Sequence, residues 1–352
     1  MSDAAPPQRP PVMHDVARLA GVSHQTVSRV INGSPRIRPE TRLRVERAIE
    51  QLGYRPNTAA RALVKGRSGV VGVIGVGGAH YGPASIQRSI ETAARAHGFF
   101  ASTVSLTALT RELLDDSVEH LRRQGVEGIV IVAGQDDALE VARSRAVGVP
   151  IVLVEGDLTR ADFTVGVDQV AGARMAVRHL VELGHREIIH LAGPPDWAEA
   201  RARVEGWQLE LADAGLRPAE PVIGDWSAAF GYDAGRGVAT DARVTAVFAA
   251  NDQIALGLLL ALHEAGRRVP DDVSVVGFDD QPEAAYLVPP LTTVRQDFVA
   301  VGARAVDKIA AAIAGANGPS GDEGTDDRGL ITPELIVRRS SGPVGTGRRR
   351  GR

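Results

Sequence analysis

The chain has 352 residues, 44% of them hydrophobic, and at roughly 100–200 residues per domain it is long enough for two or three folding units. It has no cysteine, which excludes disulfides, thiolate catalysis and cysteine-held metals, and no apolar run nears the roughly 18 residues that span a bilayer. The net charge of -3 hides an asymmetry: residues 1–69 hold 12 Lys and Arg against 5 Asp and Glu, the rest 28 against 38, so a polyanionic partner suits the first segment alone.

Residues 1–11 are polar and Pro-rich with no apolar h-region, and are expected to form a disordered leader rather than a secretory signal. Residues 13–52 are dense in helical signals, with breaks at 21–22 and 32–39. Ser23 suits an N-cap, Pro39 a first helical turn, and Gly53 a C-terminal stop. Ala17, Ala20 and Val22 are small or apolar where two helices would cross, and Gly21 suits the tight turn between them. Along the second helix Val27, Val30 and Ile31 share one face. His24, Gln25, Ser28, Arg29 and Asn32 share the other, with the donors and acceptors that base edges in a major groove require.

From Val70 the texture changes to β-branched runs alternating with amphipathic stretches. Strands are expected at 70–76, 128–132, 151–154, 188–191, 246–249 and 273–277. Helices are expected at 86–97, 138–147, 170–183, 201–214 and 253–265. This alternation builds parallel sheets flanked by helices, and about ten strands over residues 69–340 suggest two such lobes. The Gly- and Asp-rich stretch 317–329 reads as a loop, and residues 341–352, ending in an arginine cluster, as a disordered basic tail.

The segment from Met13 to Asn32 resembles the helix-turn-helix of the lactose-repressor (LacI/GalR) family, and the similarity continues over almost the whole chain. It implies an all-α DNA-binding domain at 12–56, a hinge at 57–68 and a two-lobed α/β domain like a periplasmic binding protein at 69–340. The first lobe would comprise 69–165 and 298–328, the second 166–297 and 329–340. Gly53-Tyr54-Arg55-Pro56-Asn57 and Ala59-Ala60-Arg61-Ala62-Leu63 look like the family's hinge. There Leu63 would wedge into the minor groove at the centre of a palindrome, Asn57 would cap the hinge helix, and Ala60, Arg61 and Arg38 would meet backbone or groove edges.

The resemblance also implies an effector cleft. Ala192-Gly193-Pro194, Glu199-Ala200-Arg201 and Glu205-Gly206-Trp207 together look like the strand-loop-helix that carries a sugar-binding arginine, here Arg201. Gly224-Asp225-Trp226-Ser227 would place Trp226 as an aromatic lid, and Ala250-Asn251-Asp252-Gln253 would supply Asn251. Asp279, Gln296 and Phe298 complete the set that resembles the family. A sugar suits it, since vicinal hydroxyls fit forked polar groups and a C–H face fits an aromatic ring. Departures fall in the first lobe: Glu155 replaces a shorter acid, Val132 an amide, Val76 a hydroxyl, and His80 an apolar residue. The expected effector is therefore a galactoside or other disaccharide, with no cofactor, metal or catalytic residue.

The implied protein is a cytoplasmic, nucleoid-associated repressor, a homodimer on palindromic operator DNA, without membrane contact. The Gly, Pro and Arg after Ser340 replace the leucine-rich tetramerisation helix known in the family. Three alternatives stand beside it. A corepressor-dependent regulator would share the fold. A sugar-transport protein would have no use for residues 13–63. An oxidoreductase would need a third glycine after Gly75 and Gly77, where His80 stands instead.

Overall fold

A computed structural model describes residues 11–31, 33–55, 67–76, 80–135, 138, 148–156, 164–315 and 330–345. The predicted hinge, with Asn57, Ala60, Arg61 and Leu63, lies outside the described residues, as do Asn32 and most of the helix expected at 138–147. The chain divides into two compact units, Met1–Ser68 and Gly69–Arg352.

In the first unit, α1 (Met13–Ala20), α2 (His24–Ile31) and α3 (Pro39–Leu52) enclose a small core. Gly21 closes α1 at φ 61°, a left-handed conformation that a side chain would strain. The Ser23 hydroxyl then accepts the Thr26 N–H at 3.2 Å and starts α2. Pro39 occupies the first turn of α3, where its missing N–H costs nothing. Val16, Ala17, Ala20, Val27, Val30 and Val45 meet in the centre, and the two alanines let α1 and α2 cross closely.

The second unit holds two six-stranded sheets. In the first, β1 (Val70–Val76), β2 (Phe100–Leu106), β3 (Gly128–Val132), β4 (Ile151–Val154), β5 (Thr164–Val167) and β11 (Leu330–Ile331) run in the order β11-β5-β4-β3-β1-β2, all parallel. In the second, β6 (Ile188–Ala192), β7 (Val222–Ile223), β8 (Ala246–Ala249), β9 (Ser274–Asp279), β10 (Thr292–Arg295) and β12 (Glu334–Ile336) run β12-β10-β9-β8-β6-β7, with only β12 antiparallel. Helices α4 (Tyr81–Ala96), α5 (Arg111–Arg123) and α10 (Phe298–Ile313) pack on the first sheet. Helices α6 (Gln169–Glu182), α7 (Ala198–Asp213), α8 (Ala228–Thr240) and α9 (Asp252–Glu264) serve the second lobe. Each sheet has an apolar core on both faces. That is why β3 and β4 are buried at every position instead of alternating.

The chain passes between lobes three times: after β5, after β10, and between β11 and β12. Three sequence expectations shift here. Gly166 and Val167 complete β5 in the first sheet, so the second lobe starts after them. Leu330 and Ile331 also belong to the first sheet, through pairing with β5. Residues 341–345 of the expected tail are held by tertiary contacts: Val344 N–H donates to Leu183 O at 3.0 Å, and Ser341 Oγ meets His179 Nε2 at 2.8 Å. Its Gly- and Pro-rich composition reads as coil, yet tertiary partners satisfy its backbone. Among the described residues no helix is long and apolar enough to cross a membrane.

Candidate functional site

Two surfaces carry the chemistry. On the first unit, burial of Val27 and Val30 fixes the rotation of α2, so His24, Gln25 and Arg29 face solvent and Ser28 is half-buried. The amphipathic period thus leaves a polar, basic stripe on an exposed helix. Arg38 is exposed at the N-cap of α3.

On the second unit, a cleft of about 600 Å³ opens at the carboxyl ends of the strands of both sheets. His80 follows β1, Glu155 follows β4, Asn251 follows β8, Asp279 ends β9 and Gln296 follows β10. The floor is a polar network. Arg203 on α7 is 4% exposed, and its Nε donates to Gln169 Oε1 at 2.9 Å. Its guanidinium also donates to Ala250 O, stacks 4.0 Å over the Phe278 ring, and stands 3.9 Å from Asp279 Oδ1. Gln169 Nε2 donates to Gln296 Oε1 at 2.8 Å, and Gln296 Nε2 donates to Asp279 Oδ1 at 2.6 Å. Gln169 and Gln296 adjoin two of the three passages between lobes, so this network ties the passages together.

Burial dominates the acids of the cleft. It pushes Asp279 up to about 6, against the opposing pull of Arg203 and Gln296. It holds Glu155 well above the ordinary carboxylate range, reinforced by the charge of Glu199. Glu199 is raised as well, again by burial first. Glu155 Oε1, Glu199 Oε2 and Trp226 Nε1 are buried and have no partner among the described residues.

The structure brings His80, Glu155, Trp226, Asn251, Asp279, Gln296 and Phe298 into this one cleft. It does not bring Arg201 there. The Arg201 side chain is exposed and its Nη1 donates to Pro195 O at 2.8 Å, while Arg203 supplies the cleft's guanidinium. Asn251 lines the cleft with both ends engaged: Oδ1 caps α9 by accepting Ile254 N–H at 2.8 Å, and Nδ2 donates to Trp226 O at 3.1 Å. Its visible work is to fix the Trp226 backbone. Arg203, Gln169, Trp197 and Glu199 line the cleft without having been singled out from the sequence. Among the described residues no cluster of His, Asp and Glu could hold a metal.

Residues 12–57 match the family described as bacterial regulatory proteins, lacI family, and residues 177–341 match a periplasmic binding protein-like domain. The lactose operon repressor of Escherichia coli (strain K12) is 36% identical over 303 residues, spanning 86% of this chain and 84% of that protein. The lac repressor dimer bound to operator and the anti-inducer ONPF is similar at TM-score 0.85 and 33% identity, over 95% of this chain and 100% of that one. A complex of the transcriptional regulator CelR with cellobiose is similar at TM-score 0.67 and 33% identity, over 94% of this chain and 100% of that one.

Proposed function

The chain belongs to the lacI family of bacterial regulatory proteins, a DNA-binding transcriptional regulator and not an enzyme, and on that premise we propose that it is a homodimeric repressor released from a palindromic operator by a galactoside or another β-linked disaccharide. In this reading His24, Gln25 and Arg29 contact base edges, with Ser28 and Asn32 beside them. Arg38, Asn57, Ala60, Arg61 and Leu63 serve the phosphates and the minor groove. A dimer suits the purpose, because one helix-turn-helix covers too few base pairs and two-fold symmetry matches a palindrome.

The observation that carries the effector reading is the set of unpartnered atoms in the cleft. Two carboxyl oxygens and an indole N–H are buried beside an aromatic wall. Hydroxyls both donate and accept, so a polyhydroxyl ligand satisfies all three at once. A pyranose also offers a C–H face to Trp226. Similar proteins solved with operator and with cellobiose support the pairing of DNA and sugar.

A thermal-shift screen of sugars and sugar phosphates, followed by an operator gel shift with any hit, tests this. A β-linked disaccharide should stabilise the protein and release the operator. Stabilisation only by purines or amino acids would overturn the sugar reading, and a sugar that tightened operator binding would make the protein corepressor-dependent.

A further inference from the structure

Trp197 stands at the N-cap of α7, half-exposed in the cleft wall. It is the middle of a row of three rings. His80 of the first lobe meets it at 5.5 Å between centroids and 87°, and Trp226 of the second lobe at 5.7 Å and 76°. The row therefore crosses the cleft from one lobe to the other. Backbone contacts fix its centre: Trp197 bridges to Gln135, and Ala198 N–H donates to Gly134 O at 2.9 Å, both partners lying in the first lobe. Burial lowers the pKa of His80 below its usual value, opposed by nearby Asp225, so at pH 7 the ring is neutral and offers an aromatic surface.

A single pyranose stacked on Trp226 leaves the rest of this row uncovered. Glu199, two residues beyond Trp197, lines the cleft together with Glu155, and each has a buried oxygen without a partner among the described residues. The lining includes one cation, Arg203, against Glu155, Glu199, Asp279 and Glu283. A phosphorylated or acidic sugar would add negative charge to a lining that holds four acids and one cation among the described residues, whereas a neutral one brings hydroxyls that can donate to or accept from these carboxyls in either protonation state.

We propose that His80 and Trp197 form a second carbohydrate subsite beside Trp226, specific for the second ring of an uncharged disaccharide, with Glu155 and Glu199 accepting hydrogen bonds from that ring's hydroxyls. This assignment rests on the sugar-effector reading above.

Isothermal titration calorimetry on the full chain tests it, with lactose, cellobiose, methyl β-galactoside, methyl β-glucoside and glucose 6-phosphate as probes. The unaltered protein should bind one disaccharide about tenfold more tightly than the matching methyl glycoside, and should not bind glucose 6-phosphate. Trp197→Ala should abolish that preference, with little change for the methyl glycoside. Trp226→Ala should weaken both. Trp197→Tyr should keep the preference, and His80→Ala should lose part of it, so a folding defect in Trp197→Ala alone does not decide the matter. Equal affinity of the unaltered protein for disaccharide and methyl glycoside would overturn the second subsite and leave the sugar reading intact, as would an equal loss for both ligands in Trp197→Ala. Failure of every neutral sugar to bind the unaltered protein would overturn both.

Discussion

Arg203 is a buried cation, where burial disfavours its charge and Asp279, Glu199 and Glu155 oppose that effect. Its planar fork bonds Gln169 and the Ala250 carbonyl while stacking on Phe278, a combination lysine does not reproduce. Arg203→Lys should therefore weaken sugar binding by about tenfold or more in calorimetry. Arg201→Lys should leave it unchanged, and a comparable loss there would count against the assignment. The sequence held enough to choose between these two arginines. Two residues on a helix stand about 200° apart, so only one can face inward. Trp207 and Leu211 mark the inner face of α7, and counting back four residues from Trp207 reaches Arg203. Motif likeness alone pointed to the neighbour with the wrong phase. Asp279 supports a pH test. Its folded pKa of about 6 lies above the ordinary 3.8, so the stability from its retained proton is fully present below about pH 4 and lost as pH rises through 6. Two units correspond to about 3 kcal/mol at most. Asp279→Asn should flatten part of the decline in urea midpoint between pH 4.5 and 7, and an unchanged slope would count against that shift.

At the scale of elements, legibility followed burial pattern. Strands β1, β3, β4 and β8 are continuous β-branched or apolar runs in the sheet interiors, and the sequence places them within a residue. Strand β2 is an edge with exposed Phe100 and mixed polarity, so no apolar run announces it. Helix α8 is hidden from the sequence for a different reason. Its sequence carries Gly231, Gly235 and Gly237, which read as breakers. Two of them permit a close helix pair: a Cβ on Gly231 would meet the carbonyl of Ile254 in α9, and one on Gly235 the Cβ of Ala261, while from the α9 side a Cβ on Gly257 would meet the Ala228 carbonyl. The glycines are a packing device that only the partner helix explains. Gly257→Ala should accordingly cost about 1–3 kcal/mol of stability through overpacking. Denaturant unfolding should show a lowered midpoint, and an unchanged one would mean that the two helices separate freely.

At the scale of the molecule, the chain carries a small helical unit with its own core and a two-lobed unit with four more. The two-lobed architecture is legible from strand-helix alternation, whereas the three passages follow only from the family resemblance, to within a few residues, because strands as short as β11 and β12 carry no periodicity. Those passages matter for signalling. They join the two lobes at the cleft floor, where Gln169 and Gln296 bond to each other and to cleft residues on both sides. A ligand that touches both lobes favours one arrangement over another only by its differential affinity for the two. Coupling of about 1–3 kcal/mol would lower operator affinity by roughly 5–150-fold, and linkage requires operator DNA to lower sugar affinity by the same factor. Fluorescence anisotropy with labelled operator and calorimetry with the sugar should return matching factors on the full chain. Removal of residues 1–68 should abolish operator binding and leave the sugar affinity of the DNA-free protein intact, because the cleft is built wholly from the second unit. Unequal factors would mean that sugar and operator do not compete through one conformational equilibrium, and sugar binding lost with the first unit would mean that the cleft depends on it.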